Sequence, residues 1–154
     1  MAEKQQELIL EDFLPYRLSI LSNTVSATIA GAYSQRFGLS IPEWRIMAVL
    51  SRHPGLSASE VAERTLMDKV AVSRAVAKLI KSGRINRRFA DQDRRRSILH
   101  LSPAGEEVYA EVAPLALKFE RELLHGLSED EVHTLDVLLE RLLARARLLG
   151  APHY

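Results

Sequence analysis

The fold is decided by residues 57–101, which read SASEVAERTLMDKVAVSRAVAKLIKSGRINRRFADQDRRRSILHL. Within this stretch, Ser57 followed by Glu60 is typical of a helix start, because the serine side chain caps the first turn. After a short turn, Asp68 is predicted to cap a second helix, which ends where Gly83 follows. Two short helices joined by a tight turn predict a helix-turn-helix.

A hairpin is predicted directly after these helices. Residues 85–90 and 97–101 are predicted to be short strands on either side of a charged tip at 91–96. A two-stranded wing behind a helix-turn-helix makes the module a winged one. We therefore expect residues 40–101 to form a winged helix-turn-helix.

Further helices are predicted on both sides of this module. Before it, apolar residues recur three and four apart from Leu14 to about Arg36. After it, a helix capped by Ser102 and kinked at Pro114 precedes a last helix that begins at Ser128. The chain is thus predicted to be mainly α with a small β-wing. The predicted division is a single subunit, 1–154, with a winged helix-turn-helix, 40–101, embedded in scaffold helices, 10–37 and 102–150.

The same capping pattern occurs at three of these helix starts. Ser40, Ser57 and Ser128 each precede a glutamate by three residues and have apolar neighbours on both sides. In a capping box the serine and glutamate side chains each accept a hydrogen bond from the other residue's backbone N–H. We expect a capping box at each of the three sites.

The charge of the chain is distributed unevenly. The formal net charge of the 154 residues is only +1, which by itself argues against a charged partner. Residues 60–96, however, hold eleven basic and five acidic side chains, a local balance of +6 that leaves −5 on the rest. A basic module between neutral and acidic arms favours a polyanionic partner.

The helix from Asp68 has the composition of a recognition helix. An apolar stripe on one side is expected to face the core, and basic and small polar residues lie off it. Residues in the N-terminal half of such a helix reach base edges in the major groove, whereas those further along meet phosphates. The predicted base readers are Lys69, Val70, Ser73 and Arg74, and the predicted phosphate contacts are Lys78 and Lys81.

The wing is expected to supply further contacts to double-stranded DNA. Three successive arginines on a hairpin tip repel one another unless a polyanion or nearby acids neutralise them. A narrow tip fits the minor groove, whose potential attracts arginine. Asp93 is expected to hold the Arg95 guanidinium extended through a bidentate pair. The predicted contacts outside the recognition helix are Ser57, Arg87, Asp93, Arg94, Arg95 and Arg96.

These residues carry a family resemblance. The segment from Asp93 to Ser102, DRRRSILHLS, resembles the wing signature of the MarR family of regulators, Asp-x-Arg followed by Leu-Thr. Ser102 replaces the usual Thr and keeps the capping hydroxyl, and Ala71 replaces a usual Ser or Thr. The resemblance implies a homodimeric winged-helix transcription regulator, most often a repressor that a small molecule releases from its operator.

The chain ends support a homodimer independently. Apolar residues on the last helix alternate three and four apart, as in a coiled-coil seam, and the first helix has the same period. Two seams outside the basic module are more than one small domain needs, although an ordinary intramolecular bundle remains the alternative. The predicted dimerisation residues are Leu14, Leu18, Leu21, Leu135, Leu139 and Leu142. A two-fold dimer predicts an inverted-repeat operator.

An effector site is predicted beside the first helix. Tyr16 and Arg17 flank its apolar stripe, and Trp44 and Met47 open the second helix. An arginine with aromatic neighbours suits an aromatic carboxylate or the phosphates of a CoA thioester. This region resembles MarR regulators of hydroxycinnamate and related aromatic-acid catabolism. The alternative is that Arg17 pairs with an acid across the dimer and that Trp44 is core.

Other classes of function find little support. Cysteine is absent, no phosphate-binding loop or nucleophile motif occurs, and we expect no enzyme, catalytic residue, cofactor, metal or membrane span. Glu129 and His133, four apart, leave a metal-responsive regulator as a weak alternative. A protein-responsive winged helix without an aromatic effector also stays open. The cysteine-free composition and the polar N-terminus predict a cytoplasmic protein.

Overall fold

The structure is a computed structural model that describes residues 6–90 and 93–150, without the side chains of residues 90 and 93–95. It is mostly helical, with one two-stranded antiparallel sheet. A short 3-10 turn, Leu10–Asp12, leads into the first helix. The elements are α1 Leu14–Phe37, α2 Ile41–Arg52, α3 Ala58–Thr65, α4 Lys69–Lys81, β1 Ile85–Ala90, β2 Asp93–Leu101, α5 Pro103–Leu124 and α6 Glu129–Leu148. The predicted fold class is confirmed.

The helix starts follow the capping residues of the sequence. The side chain of each N-cap accepts a hydrogen bond from the backbone N–H three residues later, which satisfies one of the free donors of the first turn. These N-caps are Ser40, Ser57, Asp68, Ser102 and Ser128. Gly38, with φ of 64°, ends α1 in the left-handed conformation that glycine adopts without strain.

The prediction of three complete capping boxes is wrong in part. Ser128 and Glu131 form the reciprocal pair. At the start of α2, the Ser40 hydroxyl instead donates to the Glu43 carboxylate, 2.8 Å away. At the start of α3, the Glu60 carboxylate accepts from the guanidinium of Arg96. The Ser40 hydroxyl itself thus occupies the Glu43 carboxylate, whereas Glu60 is taken by a wing side chain that local spacing does not reveal.

The core lies inside the winged helix-turn-helix. Nearly all of the fully buried apolar side chains come from α2, α3, α4 and the two strands, whereas α1 adds only Tyr33 and α5 only Val112. Each such side chain contributes about 1.5–3 kcal/mol when it leaves water, so this module holds most of the hydrophobic stabilisation. An ion pair between Arg36 and Glu111, 2.7 Å long, ties α1 to α5 at the surface.

The wing is longer than the sequence predicts. Strand β2 begins at Asp93 rather than at Ser97, so the arginines at 94–96 lie on the strand and not in the tip. Pairing runs from Ile85 opposite Leu101 to Phe89 opposite Ser97, and the register then shifts. The tip residues 91 and 92 lie outside the described part of the chain.

A third segment joins the wing at its base. Leu56, just before α3, forms an isolated antiparallel bridge with Leu99, and the Leu99 N–H donates to the Leu56 carbonyl at 2.9 Å. The Gly55 N–H donates in turn to the Leu99 carbonyl at 3.0 Å. The wing is therefore hydrogen-bonded to the segment before α3, in addition to its covalent connection to the end of α4.

The junction between the wing and α5 is tightly packed. The Ser102 N–H donates to the Arg84 carbonyl at 3.0 Å, and the Ser102 hydroxyl donates to the Gly83 carbonyl at 2.5 Å. A Cβ at Gly105 would overlap the same Arg84 carbonyl, so this position in the first turn of α5 accepts only glycine without a backbone shift. The base of the wing and the start of α5 consequently form one rigid unit.

Helix α5 continues through Pro114 as one helix, and the kink expected there stays a prediction. In residues 6–90 and 93–150, none of the helices combines the length and apolarity that a membrane crossing requires.

Candidate DNA interface

Helix α4 has two chemically distinct sides. Val72, Ala75, Val76 and Leu79 are at most 5% exposed and pack into the core. Ile80 is half-buried beside them. The apolar stripe predicted to face the core is confirmed, and it fixes the rotation of α4 about its own axis.

The opposite side of α4 faces outward along its whole length. The six side chains predicted to meet DNA are all exposed: Lys69, Val70, Ser73, Arg74, Lys78 and Lys81. Val70 is 55% exposed on this outward side. Such a residue suits contact with an apolar group such as a thymine methyl. Asp68 caps the helix by accepting from the Ala71 N–H at 2.9 Å.

The turn before α4 is unusual for its residue type. Leu66 adopts the left-handed conformation, with φ of 52°, and is 75% exposed. Non-glycine residues adopt this conformation at a cost of about 1 kcal/mol or more, so it persists only where the surroundings require it. Here Leu66 is the C-cap residue that ends α3 two residues before Asp68 caps α4.

Ser57 is the N-cap of α3, the first helix of the helix-turn-helix. Its oxygen accepts from the Glu60 N–H at 3.2 Å as the cap of α3, and the residue is half-buried. The hydroxyl can still donate to an outside acceptor while it caps the helix. Its predicted DNA contact is compatible with this position.

The described part of the wing adds exposed cations. Arg87 and Arg88 on β1 are exposed, and Phe89 after them is 62% exposed. The predicted contacts at Asp93, Arg94 and Arg95 fall on β2, but their side chains lie outside the described part of the chain. The proposed pairing of Asp93 with Arg95 therefore stays a prediction.

Arg96 is held by an acid of the helix-turn-helix. Its Nη2 lies 2.6 Å from the Glu60 Oε1, and the two side chains are 56% and 37% exposed. The hydrogen bond from Arg96 is the main cause that lowers the pKa of the Glu60 carboxyl below its usual value of 4.5. Glu60 is therefore ionised at neutral pH, and it neutralises one of the wing arginines that the sequence assigns to DNA.

The residues predicted to bind an effector do not meet within one chain. Trp44 stacks between Tyr33 and Tyr109, with ring centroids 5.6 and 5.5 Å apart, and Met47 is 0% exposed. Met47 is a core residue without free surface for a ligand, which corrects that part of the prediction. Tyr16 and Arg17 are exposed at the far end of α1, about 24 Å along the helix from Tyr33 at a rise of 1.5 Å per residue.

The predicted dimerisation residues are all exposed. Leu14, Leu18 and Leu21 on α1 are 41–56% exposed, and Leu135, Leu139 and Leu142 on α6 are 38–46% exposed. Helix α6 has no buried residue in the described chain. Among residues 6–90 and 93–150, nothing buries the apolar stripe of this 20-residue helix, and such patches mark interaction surfaces.

The sequence of this chain is similar to those of known transcriptional regulators. The sequence profile of the MarR family matches residues 37–96. The HTH-type transcriptional regulator BilQ of Clostridium symbiosum is 31% identical over 108 residues, which cover 70% of this chain and 75% of BilQ. The chain belongs to the MarR family.

Solved MarR-family structures share the whole architecture. A MarR/EmrR family regulator from Acinetobacter sp. ADP1 superposes with a TM-score of 0.83 at 29% identity, over 92% of this chain and 99% of the other. A mutant MarR from E. coli in complex with operator DNA gives a TM-score of 0.77 at 21% identity, over 90% and 99% of the two chains. At 21% identity that likeness concerns the fold alone. This MarR-family protein is a transcriptional regulator with a DNA-binding winged helix.

Three contacts in this MarR-family fold have no specific signal in the sequence. The Glu60–Arg96 pair, the Leu56–Leu99 bridge and the stack of Trp44 with two tyrosines each join residues far apart in the chain. Only the mixture of acidic and basic residues in 60–96 suggested an ion pair such as the one between Glu60 and Arg96.

We predict that Glu60→Gln strengthens nonspecific DNA binding by this MarR-family wing. The substitution removes a carboxylate from Arg96, which then becomes free to meet a phosphate. The slope of log K against log salt should steepen by about 0.9, the value for one additional phosphate contact. Fluorescence anisotropy on a random-sequence duplex between low and physiological salt measures this slope.

The matched control for this change is Glu63→Gln, which removes the same charge from an exposed position of α3. An equal steepening in both variants would mean that net charge, and not the release of Arg96, is responsible. The stability contributed by the Glu60–Arg96 pair should be present above the usual glutamate pKa. It should disappear as the pH falls through the lowered pKa of Glu60, because protonation then removes the attraction. Since both side chains are more than one-third exposed, solvent screening keeps that contribution small.

Proposed function

We propose that this protein is a homodimeric transcriptional repressor that binds an inverted-repeat operator and is released by a small aromatic acid or its CoA thioester. The observation that carries the proposal is the outward side of α4, where Lys69, Val70, Ser73 and Arg74 are exposed above a buried apolar side. These side chains have the length and chemistry to read base edges, and the rotation of α4 leaves them free to do so.

The dimer is proposed from the unburied apolar surface at the chain ends. Leucines of α1 and α6 share one helical period, and no residue of α6 is fully buried against the described part of the chain. A second copy offers the same stripe, so a two-fold contact would bury both at once. The stripe lies outside the winged helix-turn-helix, so both DNA-binding modules would remain accessible.

The operator follows from this symmetry. Two copies related by a two-fold axis present two α4 helices in successive major grooves, with half-sites about 34 Å apart. The operator is then an inverted repeat with a spacing of about one helical turn. The MarR from E. coli was solved with operator DNA, which agrees with this proposal at the level of fold.

The effector site is proposed to require both copies. Trp44, Tyr33 and Tyr109 form an aromatic stack that joins α1, α2 and α5, whereas Tyr16 and Arg17 lie at the other end of α1. A dimer in which α1 of one copy approaches α2 of the other would bring an arginine to this aromatic stack. Arginine binds carboxylate or phosphate bidentately, which suits the acid group of the proposed effector. A regulator with the same fold, PcaV of Streptomyces coelicolor, was solved with its natural ligand.

An operator-release assay tests the proposal. Purified protein is bound to DNA from the region upstream of its own gene and is challenged in parallel with aromatic acids and their CoA thioesters. We expect release by one of these classes and loss of that response in Arg17→Ala, with unchanged affinity for DNA in the absence of effector. If the protein binds this DNA but neither class releases it, the aromatic effector is wrong, and metal ions and protein partners become the agents to test.

A further inference from the structure

An exposed aromatic side chain lies on the wing, next to its tip. Phe89 is 62% exposed, more than any other aromatic residue of 6–90 and 93–150. It follows the exposed Arg87 and Arg88 on strand β1 and is not among the residues assigned above to DNA, to an effector or to a second copy. Covering a phenyl ring with another apolar surface is favourable, so Phe89 is available for a contact that the free protein does not make.

The register of the sheet shows on which side of the wing Phe89 lies. Side chains alternate between the two faces of a strand, and residues directly opposite each other share a face. Phe89 pairs with Ser97 and therefore shares a face with the buried Ile85, which belongs to the same core cluster as residues of α4. At about 3.3 Å for each residue, Phe89 lies about 13 Å further along β1 than Ile85. The ring is thus on the side of the wing that packs against α4, but it lies nearer the tip than the core extends.

The surroundings of Phe89 indicate the kind of partner. Residues 60–96 hold eleven basic and five acidic side chains, and this excess of +6 favours a polyanion. Arg87 and Arg88 precede the ring on β1, whereas the Ser97 opposite it is too short to cover a phenyl group. The DNA backbone offers the matching pattern, since its charged phosphates alternate with deoxyribose rings whose C–H groups are apolar. Deoxyribose rings also form the walls of the minor groove, the groove that a narrow hairpin fits.

We propose that Phe89 packs its ring against deoxyribose in the wall of the minor groove, beside each half-site, while the arginines around it meet phosphates. The contact is part of the proposed operator complex and rests on that proposal. It is apolar and displaces no counterions, so it adds affinity that salt does not weaken. Every sequence carries the same sugars, so the contact strengthens specific and nonspecific binding alike.

Fluorescence anisotropy with the full-length protein tests this contact on a duplex from the upstream region and on a random-sequence duplex. Phe89→Ala should weaken binding to both about tenfold for each copy in contact, about 100-fold for a dimer, because apolar burial is lost. The slope of log K against log salt should stay at the parental value. Phe89→Leu keeps most of the apolar area and should restore most of the affinity. Asn86→Ala, at an exposed position on the opposite face of β1, is the matched control and should bind both duplexes like the parent protein.

Two results of these titrations would overturn the contact. One is parental affinity of Phe89→Ala for the random-sequence duplex. The other is a salt slope reduced by about 0.9, which would mean that Phe89 only positions an arginine against a phosphate. Because the random-sequence duplex carries the same sugars, the comparison decides about Phe89 even if the proposed operator or effector is wrong.

A photocrosslink identifies the group that Phe89 contacts. With p-benzoylphenylalanine in place of Phe89, illumination joins the side chain to a carbon atom whose C–H bond lies against it. We expect adducts with DNA at two positions related by the two-fold axis, and mass spectrometry of the digested adducts should place the bond on deoxyribose. The same replacement at Asn86 should give no DNA adduct. Adducts with protein alone, at saturating DNA, would contradict the assignment and make Phe89 part of a protein interface.

Discussion

Leu139→Glu is expected to convert the protein from a dimer to a monomer. Leu139 lies in the middle of the α6 stripe and is 46% exposed in the single chain, so a two-fold contact would bury it in both copies. Burying an unpaired carboxylate against leucines costs several kcal/mol for each copy. A total above about 4 kcal/mol weakens the dimer more than a thousandfold. Light scattering behind a sizing column measures the mass directly.

The control for this variant is Ala144→Glu. Ala144 is also exposed on α6 but lies on the side away from Leu139, so it adds the same charge outside the stripe. We expect Ala144→Glu to remain dimeric and Leu139→Glu to lose operator affinity together with its dimer mass, because one half-site alone binds weakly. A Leu139→Glu protein with the dimer mass would show that the contact between copies lies elsewhere.

Arg74→Ala is expected to give the second large effect, a loss of sequence-specific binding. Arg74 is exposed in the N-terminal half of α4, where side chains reach base edges. A bidentate arginine–guanine contact contributes about 1–3 kcal/mol, and a dimer loses two of them. Operator affinity should fall on the order of 30-fold to 10⁴-fold, with relaxed selectivity at one base pair of each half-site. Binding to operator duplexes altered at each position identifies that base pair.

Lys78→Ala provides the comparison on the same helix. Lys78 is one turn further along α4 and equally exposed, so it is expected to meet a phosphate. Its loss should weaken binding to all sequences alike and reduce the salt slope by about 0.9 for each contact removed. If Arg74→Ala behaved in this same uniform way, Arg74 would be a phosphate contact and the base reader would have to be sought at Lys69 or Ser73.

Local features of this protein were predictable because they depend on neighbours in the chain. Serine or aspartate at a helix start, Gly38 at a helix end and the period of the α4 stripe act within a few residues, and the structure agrees with each. The extent of β2 was not predictable in this way. Polar arginines at 94–96 have no strand preference of their own, and they are extended because β1 and the Leu56 bridge fix the base of the hairpin.

The same distinction between local and distant contacts decides which side-chain roles at the site were predictable. Exposure of the α4 residues followed from helical periodicity, which the sequence contains. Glu60 pairs with Arg96, Trp44 stacks on Tyr109 as well as on Tyr33, and Met47 is buried from all sides, and periodicity describes none of these contacts. The glutamate expected in a capping box therefore proved to hold a wing arginine, and a methionine expected in a ligand cleft proved to be core.

By itself, the sequence determined the order of helices, the hairpin, the basic module within a nearly neutral chain and the outward chemistry of α4. These properties are local or additive, since capping, helical period and charge depend on residue type and spacing. Only the tertiary structure decided where the wing is anchored, which arginine Glu60 neutralises and that Trp44 stacks between two tyrosines. Those features arise from close packing between segments that are distant in the chain. There, the place of a residue in the fold decides which residue it contacts, and its type alone does not.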